Sequence, residues 1–170
     1  TDTLTGLANR DLFMDRCNQV LRQMKRTPLK GAVHLIDLDG FNSINQNYGQ
    51  KNGDLVLQTV ADRLGGLVRE SDTLARLSAD EFALIQLDVT DADEAAILAQ
   101  RINEVIGAPI HTDEDVIELT SSIGITLLNG EDETAEDVLH HVTLARRRAK
   151  QESGAAYHFY VEDLNRQALE

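Results

Sequence analysis

Residues 76–82 read Arg76-Leu77-Ser78-Ala79-Asp80-Glu81-Phe82, and this stretch decides the fold of the chain. The segments on either side, residues 73–77 and 82–87, are mostly apolar and have the length of short strands. Because only the Ser78-Ala79-Asp80 turn separates these strands, they are predicted to pair as an antiparallel hairpin. Such a hairpin excludes a purely parallel, doubly wound sheet.

Helical patterns and short strands alternate along the rest of the chain. Apolar residues at helical spacing predict helices, and short apolar runs bounded by turn residues predict strands. Helices are predicted at 11–25, between 40 and 48, and at 54–68, 92–106 and 135–151. The chain is expected to break at 49–53. The further strands are predicted at 33–37, within 116–128 and at 157–160. This order predicts one mixed α/β domain with an antiparallel centre.

The chain has 170 residues and a formal net charge of −13. This charge argues against contact with nucleic acid, whose phosphates are neutralised by Lys and Arg, and a phosphate pocket here would need a divalent cation. No apolar run is long enough to cross a bilayer, so no direct membrane insertion is expected. Cys17 is the only cysteine. A single cysteine allows no internal disulfide, which suits a reducing compartment. The domain is therefore expected to be cytoplasmic, alone or as the cytoplasmic part of a membrane-anchored sensor.

Basic residues are concentrated in one late helix, at Arg146, Arg147, Arg148 and Lys150. The arginines are interpreted as a solvated helix face near a helix C-terminus, where cations oppose the helix dipole. On this interpretation they are solvent-facing rather than functional.

Acidic residues stand where predicted strands run into turns. Asp37 and Asp39 flank Leu38 at the end of one strand, and Asp80 and Glu81 lie in the hairpin. Carboxylates from two separate segments suit Mg²⁺, and two such ions can hold the attacking and leaving oxygens of a nucleotidyl transfer. Asp is also common in turns for backbone reasons alone. Spacing by itself leaves both interpretations open.

Four motifs follow one another at fixed distances. The first two are Asp2-x-Leu4-Thr5-Gly6-Leu7-x-Asn9-Arg10 and Asp37-Leu38-Asp39-Gly40-Phe41-Asn42-x-Ile44-Asn45. Gly49-x-x-x-Gly53-Asp54 and the hairpin with Asp80-Glu81-Phe82 come next. Together they resemble GGDEF domains over essentially the whole chain. That family makes the bacterial second messenger cyclic di-GMP from two GTP molecules.

The resemblance implies an α/β fold of the nucleotidyl cyclase and polymerase palm type. Its centre would be a five-stranded mixed, mainly antiparallel sheet surrounded by helices. Asp37, Asp80 and the backbone carbonyl of Leu38 would hold Mg²⁺, and Glu81 would assist at the metal or at the attacking 3′-hydroxyl. Two such domains, each carrying one GTP, would face each other in a homodimer.

For the nucleotide, the resemblance implies that Asn45 and Asp54 bind guanine and that Lys150 neutralises the terminal phosphates. Two positions depart from the family pattern. Asn42 stands in the place of a phosphate-facing lysine, and Gly154 lies where many members carry a phosphate-binding arginine. Each lost charge-assisted contact to phosphate costs about 1.5–3 kcal/mol.

The signature turn departs as well, because Ser78 and Ala79 replace its two glycines. A tight hairpin favours positive φ at its central positions, so side chains there are expected to strain the turn by on the order of 1 kcal/mol per residue. The added Cβ atoms are also expected to narrow the approach of a substrate phosphate. Binding of GTP is therefore expected to survive better than turnover.

A second constellation, Arg69-Glu70-Ser71-Asp72, stands at the position of the family's inhibitory cyclic di-GMP site. Arg69 can grip phosphate or the guanine edge, and Asp72 can accept hydrogen bonds from the base. The alternative is an ordinary surface Arg–Asp pair that contributes little. The resemblance favours an allosteric site at Arg69 and Asp72, with Arg101 as a further contact across a dimer.

The favoured hypothesis is a degenerate GGDEF domain that binds GTP, cyclic di-GMP or both, with weak or lost cyclase activity. The alternative is an active diguanylate cyclase that uses Mg²⁺. A protein-interaction module that keeps only the fold is disfavoured, because Asp37, Asp80, Asn45 and Asp54 are all present.

The expected organisation is a GGDEF domain at residues 1–160, with residues 161–170 starting a linker. Phe159-Tyr160-x-x-x-Leu164-Asn165 is similar to the junction that leads into EAL phosphodiesterase domains. A possible downstream EAL domain and an upstream sensor domain are therefore expected as partners in a longer protein.

Overall fold

The computed structural model describes residues 1–131, 133–152 and 155–161. Its elements are α1 (Arg10–Met24), β1 (Gly31–Leu38), α2 (Phe41–Tyr48), α3 (Gln50–Gly65), β2 (Thr73–Ser78), β3 (Glu81–Leu87), α4 (Ala92–Gly107), β4 (Ile110–His111), β5 (Val116–Ile117), β6 (Ser121–Leu128), α5 (Ala135–Lys150) and β7 (Ala156–Phe159). Every predicted helix and strand is present. The additional strands β4 and β5 have two residues each, which is too short for an alternating pattern to show in the sequence.

Five strands form one sheet in the order β2-β3-β1-β6-β7. β2 with β3, β3 with β1 and β1 with β6 are antiparallel, whereas β6 and β7 are parallel. The predicted mixed, mainly antiparallel sheet is thereby confirmed. β1 lies at the centre and all of its residues are buried, since both faces of the sheet are covered by helices.

Alternation along β1 divides the core into two layers. Val33 and Leu35 pack with side chains of α1 and α5 on one face of the sheet. Ile36 and Leu38 pack on the other face, where the core includes side chains of α2, α3 and α4. By the same alternation, Asp37 belongs to the face covered by α1 and α5. The last turns of α5 can therefore reach this carboxylate.

Helix α5 lies unusually close to β6 at Gly124. A Cβ atom on this glycine would lie 2.2 Å from the carbonyl oxygen of Val142 and 2.5 Å from the backbone nitrogen of Arg146. Both are backbone atoms that cannot rotate away. The missing side chain at Gly124 thus sets the height of α5 above the sheet, and with it the position of residues near the helix end.

Helix α3 begins at Gln50 and not after the predicted break at 49–53, so that part of the prediction was wrong. Gly53 lies inside the helix, where a Cβ atom would be 1.7 Å from Oδ1 of Asn45. Gly53 is a weak helix former, but its lack of a side chain leaves room for the Asn45 amide. The close packing of α2 against α3 explains why Gly53 stands inside a helix, although the sequence pattern suggests that it breaks one.

The expected linker, residues 161–170, lies outside the described residues except for Val161. Within the described part of the chain, no helix has both the length and the apolar character needed to span a membrane.

Substitution of Gly124 tests the close approach of α5. Gly124→Ala is expected to lower the free energy of unfolding by about 1–3 kcal/mol, because the added methyl group forces α5 away from the sheet. Gly65→Ala is the matched control, since a Cβ atom there meets nothing within 4 Å. Urea unfolding of both variants measures the difference, and equal stability of the two would contradict this account of the packing.

Candidate functional site

The signature hairpin closes with a two-residue turn at Ala79 and Asp80, and Ser78 pairs with Glu81 at the strand ends. Neither Ser78 nor Ala79 is among the described non-glycine residues with positive φ. The expected backbone strain is absent, so that prediction was wrong. The β2–β3 register shifts between Arg76 and Ser78. Such an irregularity changes the local twist, which allows a turn without left-handed residues to close the hairpin.

Arg76 connects this turn to the N-terminal residues through hydrogen bonds and an ion pair. Its Nη2 and Nε donate to the carbonyl oxygen of Ala79 at 2.8 and 3.3 Å. Its Nη1 lies 3.1 Å from Oδ1 of Asp2, which also accepts from the backbone and hydroxyl of Thr5 through Oδ2. The N-terminal motif and the hairpin therefore form one connected unit.

Strand register brings the acidic residues together at one end of the sheet. Asp37 on β1 lies opposite Glu81 on β3. The backbone nitrogen of Leu38 donates to the carbonyl oxygen of Asp80 at 3.0 Å. The three residues predicted to hold a metal, Asp37, Leu38 and Asp80, thus meet beside Glu81. Like charges on directly opposed residues are unfavourable, so this arrangement needs a positive charge nearby.

Two cations of α5 supply that charge. Nη1 of Arg146 lies 2.5 Å and Nζ of Lys150 lies 2.7 Å from the same Asp37 oxygen, Oδ2. The interpretation of the arginine cluster as solvated was wrong for Arg146, because its position over the sheet turns it toward Asp37. It holds for Arg147 and Arg148, which are exposed.

Glu81 is held from both sides. The hydroxyl of Ser78 donates to Oε1 of Glu81 at 2.8 Å, and Nη1 of Arg146 lies 3.8 Å from Oε2. A glycine at position 78 could not make the first of these contacts. The departure from the family pattern therefore adds a hydrogen bond to the carboxylate that the resemblance places near the reacting hydroxyl.

Burial raises the pKa of Asp80 above its ordinary value, and the neighbouring carboxylates of Asp37 and Glu81 raise it further. Lys150 acts in the opposite direction with a smaller effect. The ionised form of Asp80 is therefore less favourable here than in water, and a further positive charge beside it would offset part of that cost.

Asp39 has a different role from Asp37, although the two are separated by one residue. Its Oδ2 accepts from the hydroxyl of Thr120 at 2.7 Å, and its Oδ1 accepts from the hydroxyl of Ser122 at 2.8 Å. Both carboxylate oxygens therefore fasten the loop after β1 to β6.

The residues predicted to bind the nucleotide lie on α2 and α3. Asn45 and Asp54 are half-buried, and Asn42 is exposed. Oδ1 of Asn45 is buried and has no hydrogen-bond partner within the described chain. It packs against Gly53, which directly precedes Asp54. The predicted arginine position, Gly154, lies outside the described residues.

Asp72 forms the expected ion pair with Arg69, whose Nε lies 3.8 Å from Oδ2, but its carboxylate is buried and also binds the backbone. Its Oδ2 accepts from the backbone nitrogen of Arg69 at 2.9 Å, and its Oδ1 accepts from the backbone nitrogen of Leu87 at 3.0 Å. The side chain is only 3% exposed, whereas that of Arg69 is 58% exposed. Nη2 of Arg69 donates to the carbonyl oxygen of Leu87 at 2.8 Å. Asp72 therefore holds the backbone, and Arg69 presents its guanidinium at the surface.

A surface cavity of about 390 Å³ lies beside these residues. Arg69 and Asp72 line it on one side, and Arg101 and the exposed Ile97 line it from α4. Two guanidinium groups thus share this space with the carboxylates of Asp72 and Glu94 and with apolar side chains. Arg101 reaches this cavity within the same chain.

The family model described as "Diguanylate cyclase, GGDEF domain" matches residues 1–155. The chain belongs to the GGDEF family. The domains of this family act in cyclic di-GMP signalling, which agrees with the function class expected from the motifs.

Two relatives from Pseudomonas aeruginosa illustrate the relationship. The bifunctional diguanylate cyclase/cyclic di-GMP phosphodiesterase MucR is 36% identical over 169 residues, which cover 99% of this chain and 24% of MucR. The cyclic di-GMP phosphodiesterase NbdA is 36% identical over 149 residues, which cover 88% of this chain and 19% of NbdA. The chain thus spans a quarter or less of these relatives.

A solved structure shares the whole fold. The GGDEF domain of TpbB from Pseudomonas aeruginosa superposes with a TM-score of 0.91 at 33% identity, covering 99% of both chains. This similarity confirms the expected fold class for the GGDEF chain described above.

The donor set of the GGDEF domain fits a hard divalent cation such as Mg²⁺. Asp37, Asp80 and the Leu38 carbonyl offer oxygen ligands from two segments, which is the chemistry that Mg²⁺ prefers. In the described ranges, no group of three His, Cys, Asp or Glu side chains is close enough to hold a metal ion. The cation would therefore need oxygen ligands beyond the side chains of this domain, such as phosphate or water.

Arg146 is the site residue that the sequence analysis missed. Val142, Arg146 and Lys150 are spaced four residues apart and so lie along one side of α5. Val142 is buried and Lys150 has a predicted phosphate role. This spacing is the signal that could have placed Arg146 toward the site, whereas the run of arginines suggested a solvated face.

The raised pKa of Asp80 predicts an effect on stability. The folded state binds a proton at Asp80 more tightly than the unfolded state does, so ionisation near neutral pH opposes folding. Asp80→Asn is expected to raise Tm at pH 7 in chelator-treated buffer, and to change it little near pH 3, where the acid is protonated in both states. Differential scanning calorimetry provides the measurement.

Glu104→Gln, at an exposed acid on α4, controls for the change in net charge. An Asp80→Asn domain no more stable than the Glu104→Gln domain at pH 7 would show that the raised pKa has no influence on folding.

Proposed function

We propose that this GGDEF domain binds GTP at the end of the sheet where Asp37 and Asp80 meet, and that its cyclase activity is weak or lost. The buried Oδ1 of Asn45, which has no hydrogen-bond partner among the described residues, carries the proposal. A buried acceptor without a donor costs free energy, so its presence in a native fold calls for an explanation, and a donor supplied by a ligand is one. Guanine supplies N–H donors on its edge, and Asp54 offers a second acceptor nearby.

Weak turnover is supported by the groups around the acids. Asn42, in the place of the family's phosphate-facing lysine, is neutral and exposed, so one phosphate contact is missing. Glu81 already accepts a hydrogen bond from Ser78 and lies near Arg146. A carboxylate held in this way is less free to act on an attacking hydroxyl, because the proton-accepting oxygen has to exchange partners first.

Mg²⁺, held by Asp37, Asp80 and the Leu38 carbonyl, would supply charge neutralisation for the triphosphate. The protein's own contribution is positional. Lys150 provides a partly exposed ammonium beside Asp37 that can reach phosphate oxygens, and the Arg76 hydrogen bonds fix the turn that carries Asp80.

The proposal includes a second site that binds cyclic di-GMP. The cavity beside Arg69 and Asp72 supports it, since Arg101 contributes a second guanidinium and Ile97 an apolar surface. Arginine forks match phosphate and guanine edges, and a flat base can stack on guanidinium or apolar groups. The ligand class is a guanine nucleotide with two phosphates.

An active diguanylate cyclase is the second candidate function. Two structural observations and one relative favour it. The turn at Ala79 and Asp80 has no residue with positive φ, so replacing the glycines does not distort it. Asp37 and Glu81 also remain directly opposite each other in the sheet. The relative TpbB is named a diguanylate cyclase and is 35% identical over 153 residues.

The wider context is also proposed. MucR carries both cyclase and phosphodiesterase in its name, which supports a downstream EAL domain in the protein to which this domain belongs. A sensor domain would precede it, two GGDEF domains would pair as a homodimer for turnover, and the site of action would be the cytoplasm, where GTP is plentiful.

Product analysis tests the proposed loss of turnover. The domain is incubated with GTP and Mg²⁺, beside an Arg69→Ala variant that removes inhibition by product. The expected result is that GTP remains and that cyclic di-GMP is at least about 100-fold below the level made by an active GGDEF domain. Each of two weakened contacts is expected to cost about 1.4 kcal/mol, which is a factor of ten in rate, and the two factors multiply.

Cyclic di-GMP accumulating in either sample would make the domain a working cyclase. Calorimetry then measures the binding of a non-hydrolysable GTP analogue to wild type and to Asn45→Ala. This measurement distinguishes a site that binds GTP without turnover from a site that does not bind GTP. The Asn45→Ala variant is expected to bind at least tenfold more weakly.

Arg69 and Asp72 are expected to differ in what their removal does. Arg69→Ala should weaken cyclic di-GMP binding at least about tenfold with Tm unchanged, since a charge-assisted contact of about 1.5–3 kcal/mol is lost from an exposed side chain. Asp72→Ala should weaken binding and also lower Tm, because the backbone nitrogens of Arg69 and Leu87 lose their acceptor. Calorimetry and thermal unfolding measure both.

Arg147→Ala removes an exposed arginine from α5, away from the cavity, and is the control for net charge. Unaltered affinity in Arg69→Ala would exclude the cavity as the cyclic di-GMP site.

A further inference from the structure

The carboxylate of Asp37 is nearly inaccessible to water, since its side chain is 4% exposed. Removing a carboxylate from water is strongly unfavourable unless an opposite charge accompanies it. Arg146 and Lys150 both contact its Oδ2, but they are not equivalent. The Lys150 side chain is 41% exposed, whereas that of Arg146 is 16% exposed. Arg146 is the cation that is buried together with Asp37.

The guanidinium of Arg146 also lies between the two opposed acids, 2.5 Å from Asp37 and 3.8 Å from Glu81. Its Nε is buried and has no acceptor within the described part of the chain. Arg146 thus uses one nitrogen for its close contacts and leaves another unsatisfied. Charge, more than a complete set of hydrogen bonds, holds the group in this position.

From these contacts we infer that Arg146 is the resident counter-ion of Asp37 in the metal-free domain, and that a divalent cation competes with its guanidinium for this carboxylate. The inference rests on the proposed metal role of Asp37. A divalent ion at Asp37 would stand within a few ångströms of two positive side chains, and like charges at that distance repel. The cation can therefore bind well only when Arg146 leaves Oδ2.

A purely structural ion pair would behave differently. Its loss would destabilise the domain to the same extent with and without a divalent cation, and it would leave the affinity for the cation unchanged. Under competition, the loss of stability on removing Arg146 and the affinity for the cation depend on each other, because the cation and the guanidinium neutralise the same carboxylate.

The test is a titration of the nucleotide-free domain with Mn²⁺, with free Mn²⁺ followed by electron paramagnetic resonance. Arg146→Gln is expected to bind Mn²⁺ about tenfold more tightly than wild type, a difference of about 1.4 kcal/mol. Arg147→Gln makes the same change in net charge at an exposed neighbour and is expected to match wild type. Affinity of Arg146→Gln within twofold of wild type, or weaker, would overturn the inference.

Asp37→Asn separates this inference from the proposed metal site. If wild type binds Mn²⁺ and Asp37→Asn does not, the metal site stands and the Arg146 comparison decides the inference. If wild type and Asp37→Asn bind Mn²⁺ equally, or neither binds it, both the metal site and the inference fail.

Thermal unfolding keeps the test decisive if Arg146→Gln is unstable. The variant is expected to have a lower Tm than Arg147→Gln in chelator-treated buffer, and millimolar Mn²⁺ is expected to recover most of that loss. A loss of Tm that is the same with and without Mn²⁺ would assign Arg146 a structural role only.

Discussion

The burial of the Asp37 carboxylate at the end of the central strand is the constraint on which the site depends. Alternation along β1 places this acid on the same face as Val33 and Leu35, beneath α5. Strand register places Glu81 directly opposite it. A buried acid beside another acid requires positive charge, and among the described residues the cations in contact with Asp37 are Arg146 and Lys150 of α5. The height of α5 over Gly124 thus becomes part of the chemistry of the site.

The altered signature turn acts through its side chains more than through its backbone. Ser78 and Ala79 adopt ordinary φ values, so the hairpin keeps its shape without the two glycines. The Ser78 hydroxyl nevertheless adds a hydrogen bond to Glu81, and Arg146 lies near the other oxygen of that carboxylate. A site can therefore keep its acids in place while their hydrogen-bonding partners change what those acids are free to do.

The cavity beside Arg69 and Asp72 combines a buried acid with an exposed guanidinium. Asp72 accepts through its two oxygens from the backbone nitrogens of Arg69, before β2, and Leu87, at the end of β3, which fixes the backbone that carries Arg69. The Arg69 guanidinium donates to the carbonyl oxygen of Leu87 through one nitrogen and remains largely exposed above the buried acid. Strand β3 connects this cavity with the acidic end of the sheet, because it begins at Glu81 and ends at Leu87.

The sequence by itself determined the family, the order of the elements and the hairpin, because these depend on local pattern and on motifs at fixed spacing. The motifs also predict Asp37, Asp80, Asn45 and Asp54 as site residues. The structure places the first two at the same end of the sheet and the other two on α2 and α3. Tertiary structure alone decided that α3 includes Gly53, that Asp39 is occupied by two hydroxyls, and that Arg146 faces Asp37. These outcomes depend on how closely two elements approach and on which charges share a buried space, and residues distant in the chain set both.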